Sequence, residues 1–451
     1  MDARTPVASS PSEPSPHRLA PLAGAERIES IDVLRGLAVL GILVMNIPTF
    51  AFSEYAFFNP TVQGGFEGAD RWAWIFSHVF FDLKMMSIFS MLFGAGLIVM
   101  DTRASARGVR LAGVYYRRLT WLLLFGLLHA YIIWEGDILF TYAICGMALF
   151  PFRRLRPRWL IALGAILLLI PLPINSLFGL FFDLMRSAAN DAARGVELES
   201  WRRGLASSWE ETSRGFVPTP EMLQTEREQF LGGYFDGLAR RAPAALFMQT
   251  FLLVTWSFWR CAGLMLVGMA LMKLGVFSAQ CSSRTYLRLL VAGYALGFPL
   301  VAAGAGRLIA HNFDFVEMFK LDFHFNYIGS IGVALGHSAV VMLICRHGVL
   351  TPLRRALAAV GRMAFSNYIA QSLICALLFY GWGFALWGKV SRAELLPIVV
   401  VIWMAQIAFS LAWLARFRFG PLEWIWRTLT YLRAPRLLRQ APAQLSPPPP
   451  A

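Results

Sequence analysis

Apolar residues in this chain form long runs separated by short polar or basic stretches. Ten runs read as membrane-crossing helices, near 33–52, 79–100, 119–135, 137–152, 159–181, 244–272, 289–306, 324–345, 363–386 and 395–415. A hydrocarbon layer about 30 Å thick takes roughly 20 apolar residues in a helix, and the short alternating segments of a transmembrane β-barrel are absent. The pattern therefore predicts an all-α integral membrane protein with about ten transmembrane helices. The first run is too long for a cleavable signal peptide and reads as a retained first helix. Residues 1–26, rich in Pro, Ser and Ala, predict a disordered tail, residues 27–433 a polytopic membrane domain, and residues 434–451, ending SPPPPA, a Pro-rich tail.

Charge adds an orientation. If the N-terminus is cytoplasmic, the inner loops 101–118, 153–158, 273–288 and 346–362 hold sixteen Lys or Arg, against five in the short outer loops: Arg71, Arg307, Lys320, Lys389 and Arg392. That asymmetry predicts both termini inside. The long polar segment 182–243 then falls outside and divides the runs five and five. Its mixed charges and its Trp201 and Trp209 predict a small helical cap. A five-plus-five layout also suits the inverted repeats of a transporter, although no sequence repeat is visible.

With 57% hydrophobic and 15% charged residues and a mean hydropathy of +0.55, the chain lies outside the range of soluble domains. Its net charge of +14 sits in clusters flanking apolar runs, so membrane orientation accounts for it and nucleic-acid binding is excluded. The five cysteines are scattered, without metal or redox spacing; they read as packing residues, and no metal is expected.

Polar residues inside apolar runs are the candidate chemistry, because burying them in lipid is costly. In IDVLRGLAVLGILVMNI, Arg35 and Asn46 are separated by about 20° in azimuth and about 16 Å along a helix, with Asp32 near the same face. His129 follows Arg118 by the same eleven residues, which places it at the depth of Asn46; Glu135, Asp137 and Tyr142 come next. A histidine at that depth beside carboxylates is a candidate general base. Lys84 stands at an outer boundary, where snorkelling would also explain it. Arg362 marks an inner end, followed by Asn367, Tyr368 and Gln371; Asn367 and Gln371 share a face and could equally bond neighbouring helices. Gly94 and Gly96 read as helix-packing positions, since no strand precedes them.

The motifs IDVLRGLAVLGILVMN, KMMSIFSMLFGAG, GLLHAYIIWEGDILFTYA, GRMAFSNYIAQS and GPLEWIWRTLTY span positions 31–431. In that order they resemble the bacterial inner-membrane proteins of the YeiB type, the family labelled domain of unknown function 418. That family looks like a branch of a wider transmembrane acyltransferase group, with heparan-alpha-glucosaminide N-acetyltransferase and acyltransferase family three, on the strength of Asp32, Arg35 and Gly36 at the inner end of the first helix. The resemblance implies a multi-pass protein of the bacterial cytoplasmic membrane. It would move an acyl group from cytoplasmic acyl-CoA, as co-substrate, to an envelope glycan or lipid acceptor outside. Its environment would be the lipid bilayer, and a homo-oligomer is compatible with it. In acyltransferase family three a histidine stands eleven residues after the arginine; here that position is Asn46, which cannot act as a base near neutral pH, so His129 takes the role. Glu135 or Asp137 would orient His129, and Asn46 or Asn367 would donate to the oxyanion. Arg35, Arg117, Arg118 and Arg362 would meet the CoA phosphates. A carrier for a small metabolite or lipid precursor is the competing expectation, and an envelope scaffold or sensor a third.

Overall fold

The structure, a computed structural model, describes residues 28–439. The expected tail 1–26 and residues 440–451 lie outside the described residues. From the N-terminus the helices are α1 (Glu29–Ala51), α2 (Gly68–Phe80), α3 (Lys84–Ala106), α4 (Ala112–Leu128), α5 (Leu139–Leu149), α6 (Pro157–Leu169) and α7 (Pro171–Ala193). The polar segment 182–243 continues α7 and adds α8 (Ser200–Arg214), α9 (Pro220–Leu231) and α10 (Tyr234–Phe247), a helical segment called the cap below. Then come α11 (Phe258–Lys273), α12 (Ser283–Ala310), α13 (Phe323–His347), α14 (Thr351–Arg362), α15 (Ala364–Phe379), α16 (Leu395–Arg416) and α17 (Pro421–Tyr431). Proline opens α6, α7, α9 and α17, where its missing N–H costs nothing.

Among the described residues, seven helical stretches are long and apolar enough to cross a membrane: α1, Gly68–Ala106, Pro157–Ala193, Tyr234–Lys273, α12, Phe315–His347 and α16. The sequence pattern predicts ten. The other three runs fall on α4, α5 and α15, which are 17, 11 and 16 residues long, because a π-helical turn, a short 3₁₀ turn and a backbone turn after Phe379 interrupt them. Only 28% of the α16 span is buried although its mean hydropathy is 2.3, so its apolar surface faces outward, as lipid contact requires. Apart from one antiparallel bridge between Phe417 and Leu438, the regular elements among the described residues are helical. That bridge engages part of the expected Pro-rich tail: the Arg418 N–H donates to Leu437 O (2.8 Å) and the Arg439 N–H to Arg416 O (3.0 Å).

Glycines set the closest helix crossings. A Cβ on Gly36 would stand 2.0 Å from Leu357 O and one on Gly361 1.9 Å from Asp32 O, so α1 and α14 touch backbone to backbone. The same reciprocity joins α3 and α11, where Gly94 meets Met265 O at 2.0 Å and Gly268 meets Met91 O at 1.9 Å. Gly96 faces open space. The main apolar core lies among α1, α3, α4, α5, α11 and α13–α15, and a second cluster joins Val44, Ile47, Phe50 and Trp134 to Phe230 of the cap and to Phe379, Tyr380 and Trp387.

Candidate functional site

His129 sits where α4 stops being an α-helix. Residues His129–Ile133 form a π-helical turn closed by the Trp134 N–H donating to His129 O at 2.9 Å. Such single-turn insertions often mark functional positions, since the extra residue re-aims side chains. The chain then turns through Glu135, Gly136 and Asp137 into α5. Asp137 reaches back, its Oδ2 lying 2.8 Å from His129 Nδ1, while its Oδ1 accepts from the Phe140 N–H at 2.8 Å. Gly126 permits this approach: a Cβ there would lie 2.8 Å from Asp137 Oδ1 and 2.4 Å from Phe140 N. A carboxylate on Nδ1 assigns the ring hydrogen to that nitrogen, so Nε2 presents a lone pair.

Both side chains are 1% exposed. Over His129 lies the Tyr368 ring of α15, centroids 5.1 Å apart, and Trp134 closes another side at 6.1 Å. His129 Nε2 and the Tyr368 hydroxyl are buried, and neither has a hydrogen-bond partner. Trp134 in turn packs on Phe50 of α1 at 4.7 Å, one turn after the half-buried Asn46. Glu135 is directed elsewhere: it accepts from Arg240 of the cap at 2.6 Å. Of the two carboxylates proposed to orient His129, the one bonded to it is Asp137.

At the N-terminal end of α1, Arg35 Nη1 donates to Asp32 Oδ1 at 2.8 Å and to Gly361 O at 3.4 Å, beside Arg362 at the end of α14. Gly36 therefore serves the crossing, while Arg35 caps the carbonyl end of the facing helix. The Arg118 guanidinium lies 3.5 Å over the Trp426 ring of α17, and Arg117 donates to Thr430 O. Glu423 of the same helix accepts from the Phe365 N–H (2.7 Å), the Ser366 N–H (3.1 Å) and the Ser366 hydroxyl (2.6 Å), capping the start of α15 from outside.

The remaining candidates stand apart from His129. Lys84 is fully buried and donates to His78 O and Asn326 Oδ1, each at 2.6 Å, so it does not snorkel. Asn326 donates onward to Asp82, which also contacts His78. Tyr142 contacts the Ser90 hydroxyl at 2.9 Å. Asn367 donates to Val360 O and Ser410, and Gln371 to Val39 O and Gln406, which ties α15 to α1 and α16. The structure thus gathers His129, Asp137 and Tyr368 at one place and Asp32, Arg35 and Arg362 at another. Several buried polar residues escaped the sequence reading. Arg260, in the middle of an apolar run, donates to Tyr327 O, Ser87 and Ser330, and its charge at that depth was a usable signal. Asp322 holds Arg307 and His311, each at 2.7 Å, and no local pattern marks it. Among the described residues, no three His, Cys, Asp or Glu gather as a metal set.

Comparison with known proteins gives relatives of the same length and no chemistry. The family described as "Protein of unknown function (DUF418)" matches residues 271–433. The chain is 32% identical over 422 residues to "Uncharacterized protein YeiB" of Escherichia coli, covering 91% of this chain and 97% of that protein. It is 30% identical over 429 residues to "Uncharacterized protein YxaH" of Bacillus subtilis, covering 92% and 96%. No solved structure matches. With its length shared almost end to end with YeiB at this identity and its C-terminal region matching the family profile, the chain belongs to the DUF418 family, whose members compared here are bacterial.

Proposed function

We propose that this protein is a ten-span acyltransferase of the bacterial cytoplasmic membrane that uses cytoplasmic acyl-CoA and an extracytoplasmic acceptor, with His129 as general base and Asp137 as its positioning partner. The observation that carries the reading is the buried Asp137–His129 pair with an unpartnered Nε2, held on a π-helical turn beneath Tyr368. A buried polar atom without a partner costs about 1–3 kcal/mol, a cost that a substrate hydrogen bond would offset. In the step proposed, Nε2 takes the proton of an acceptor hydroxyl or amine and the acceptor atom bonds to the thioester carbonyl carbon. The C–S bond breaks, and His129 returns the proton to the departing CoA sulfur. The Tyr368 hydroxyl, facing the same ring, is placed to donate to the developing oxyanion. Arg35 and Arg362 offer guanidinium groups to the CoA phosphates at the inner mouth; Arg118, stacked on Trp426, lies about 16 Å of helix rise from His129.

The test is acyl transfer from labelled acetyl-CoA by the purified protein in proteoliposomes supplied with envelope extracts. His129→Gln should lower turnover on the order of 10²- to 10⁴-fold with folding intact. Full activity in that variant would remove the base assignment. A carrier is the second reading, supported by the charged network of Lys84, Asp82, His78 and Asn326 inside the spans. It predicts solute flux without acyl-CoA.

A further inference from the structure

Above the base, the cap builds a second polar site. Helix α10 lies against the His129 turn, where the Tyr234 hydroxyl donates to Ile132 O at 2.8 Å. Nearly two turns further on, Arg240 and Arg241 follow each other. Arg241 is 1% exposed, although it is an arginine on the outer side of the molecule. A small recess opens to solvent there, with enclosed room of about 10 Å³, enough for a single water, lined by Gln229, Gly233, Gly237, Arg240, Arg241 and Tyr380, with Phe230 and Trp382 completing it.

The lining has donors without acceptors. Arg240 Nε and Nη1, Arg241 Nε and Nη2, and the Tyr380 hydroxyl are buried and have no hydrogen-bond partner. The guanidinium planes are held by aromatic faces, Arg240 4.0 Å over Phe230 and Arg241 5.1 Å over Tyr234, so they are positioned before any ligand arrives. Gly237 leaves the space open, since a Cβ there would stand 3.0 Å from Arg241 Nη1. Against these two cations, Glu135 bonds Arg240 at 2.6 Å and Glu54 approaches it at 4.0 Å. Glu226 is occupied by Ser53 and the Glu54 N–H. Burial pushes the Glu54 and Glu226 carboxyls above their ordinary range.

We infer that the cleft is an oxoanion site, in which Arg241, Arg240 and Tyr380 grip a carboxylate or phosphate group carried by an extracytoplasmic molecule. Planar guanidinium forks and an adjacent hydroxyl match such a group, and the aromatic wall suits an apolar or sugar stem attached to it. The inference stands on the cap alone, whether or not the chain transfers acyl groups; joined to transfer, it names the acceptor class as anionic.

The test uses the full chain in nanodiscs at constant ionic strength. One arm titrates inorganic phosphate and acetate into zwitterionic phosphatidylcholine discs; the other compares discs with and without phosphatidylglycerol. Binding is read by calorimetry and thermal stabilisation. Wild type should respond in at least one arm, the first indicating a soluble anion and the second a lipid headgroup. Arg241→Gln should weaken that response at least tenfold and Tyr380→Phe several-fold, while Arg214→Gln, an exposed cap arginine paired with Glu210, should match wild type. No response in either arm overturns the inference. An undiminished response in folded Arg241→Gln also overturns it and, if that variant fails to fold, so does an undiminished response in Tyr380→Phe. The readout contains no acyl donor, so its failure leaves the His129 proposal to its own assay.

Discussion

His129 is placed by its neighbours more than by its helix. The π-helical turn re-aims it, Gly126 lets the next turn close on it, and Asp137 fixes which nitrogen carries the hydrogen. Asp137→Asn preserves shape, but its amide can present nitrogen to Nδ1 and so favour the other tautomer. We expect kcat for acyl transfer to fall on the order of 10²-fold, the low end for a displaced base, while the KM for acyl-CoA holds, because the contacts proposed for CoA are at Arg35 and Arg362, away from this pair. Steady-state kinetics on the folded variant, with kcat reduced and the KM for acyl-CoA held, distinguishes this positioning role from a folding defect. The sequence exposed His129 and its carboxylates through depth and spacing. It did not expose Tyr368 as their companion over Glu135, because that choice depends on α15 crossing a turn more than two hundred residues earlier.

At the scale of elements, glycine pairs decide how closely helices meet. Gly36→Ala would force a methyl into Leu357 O and Gly361→Ala one into Asp32 O, each costing about 1–3 kcal/mol or more as α1 and α14 separate. The double variant should cost less than the sum, since one separation accommodates both methyls. Gly96→Ala meets nothing and should gain up to about 1 kcal/mol of helix propensity. Thermal unfolding of the four variants in one detergent checks the set. From sequence, Gly36 belongs to a motif that suggests chemistry and Gly94–Gly96 to one that suggests packing. The structure gives Gly36 and Gly94 the same packing job and Gly96 none, because the partner backbone at each site comes from far along the chain. The same limit applies to helix length: apolar runs locate α4, α5 and α15, while the turns that shorten them arise where side chains converge.

For the molecule as a whole, the cap is the part whose attachment depends on acidity. Glu226 is 7% exposed and accepts from the Ser53 hydroxyl at 2.5 Å and the Glu54 N–H at 2.8 Å, and burial raises its carboxyl pKa. A raised carboxyl binds its proton more tightly when the cap is docked. The stabilisation is therefore complete below the ordinary value of 4.5 and is lost as pH rises through the elevated folded value. Glu54 shifts the same way, with burial as the main cause and Glu226 adding to it. Deuterium exchange in α9, corrected for intrinsic rates, should accelerate as pH rises through that window, and Glu226→Gln should flatten the dependence. Composition made the membrane class readable, but nothing local in the helical 182–243 stretch announced which of its residues would meet the turn after α1.

One contact also orders events in time. Glu423 closes the first turn of the helix that carries Tyr368, and Trp426 covers Arg118 at the foot of the helix that carries His129. Both belong to α17, the last helix among the described residues. The bundle can enter the bilayer segment by segment, but the helices that carry His129 and Tyr368 are fastened at these two places only once α17 has been made, so a chain cut short before residue 421 would insert without that clamp.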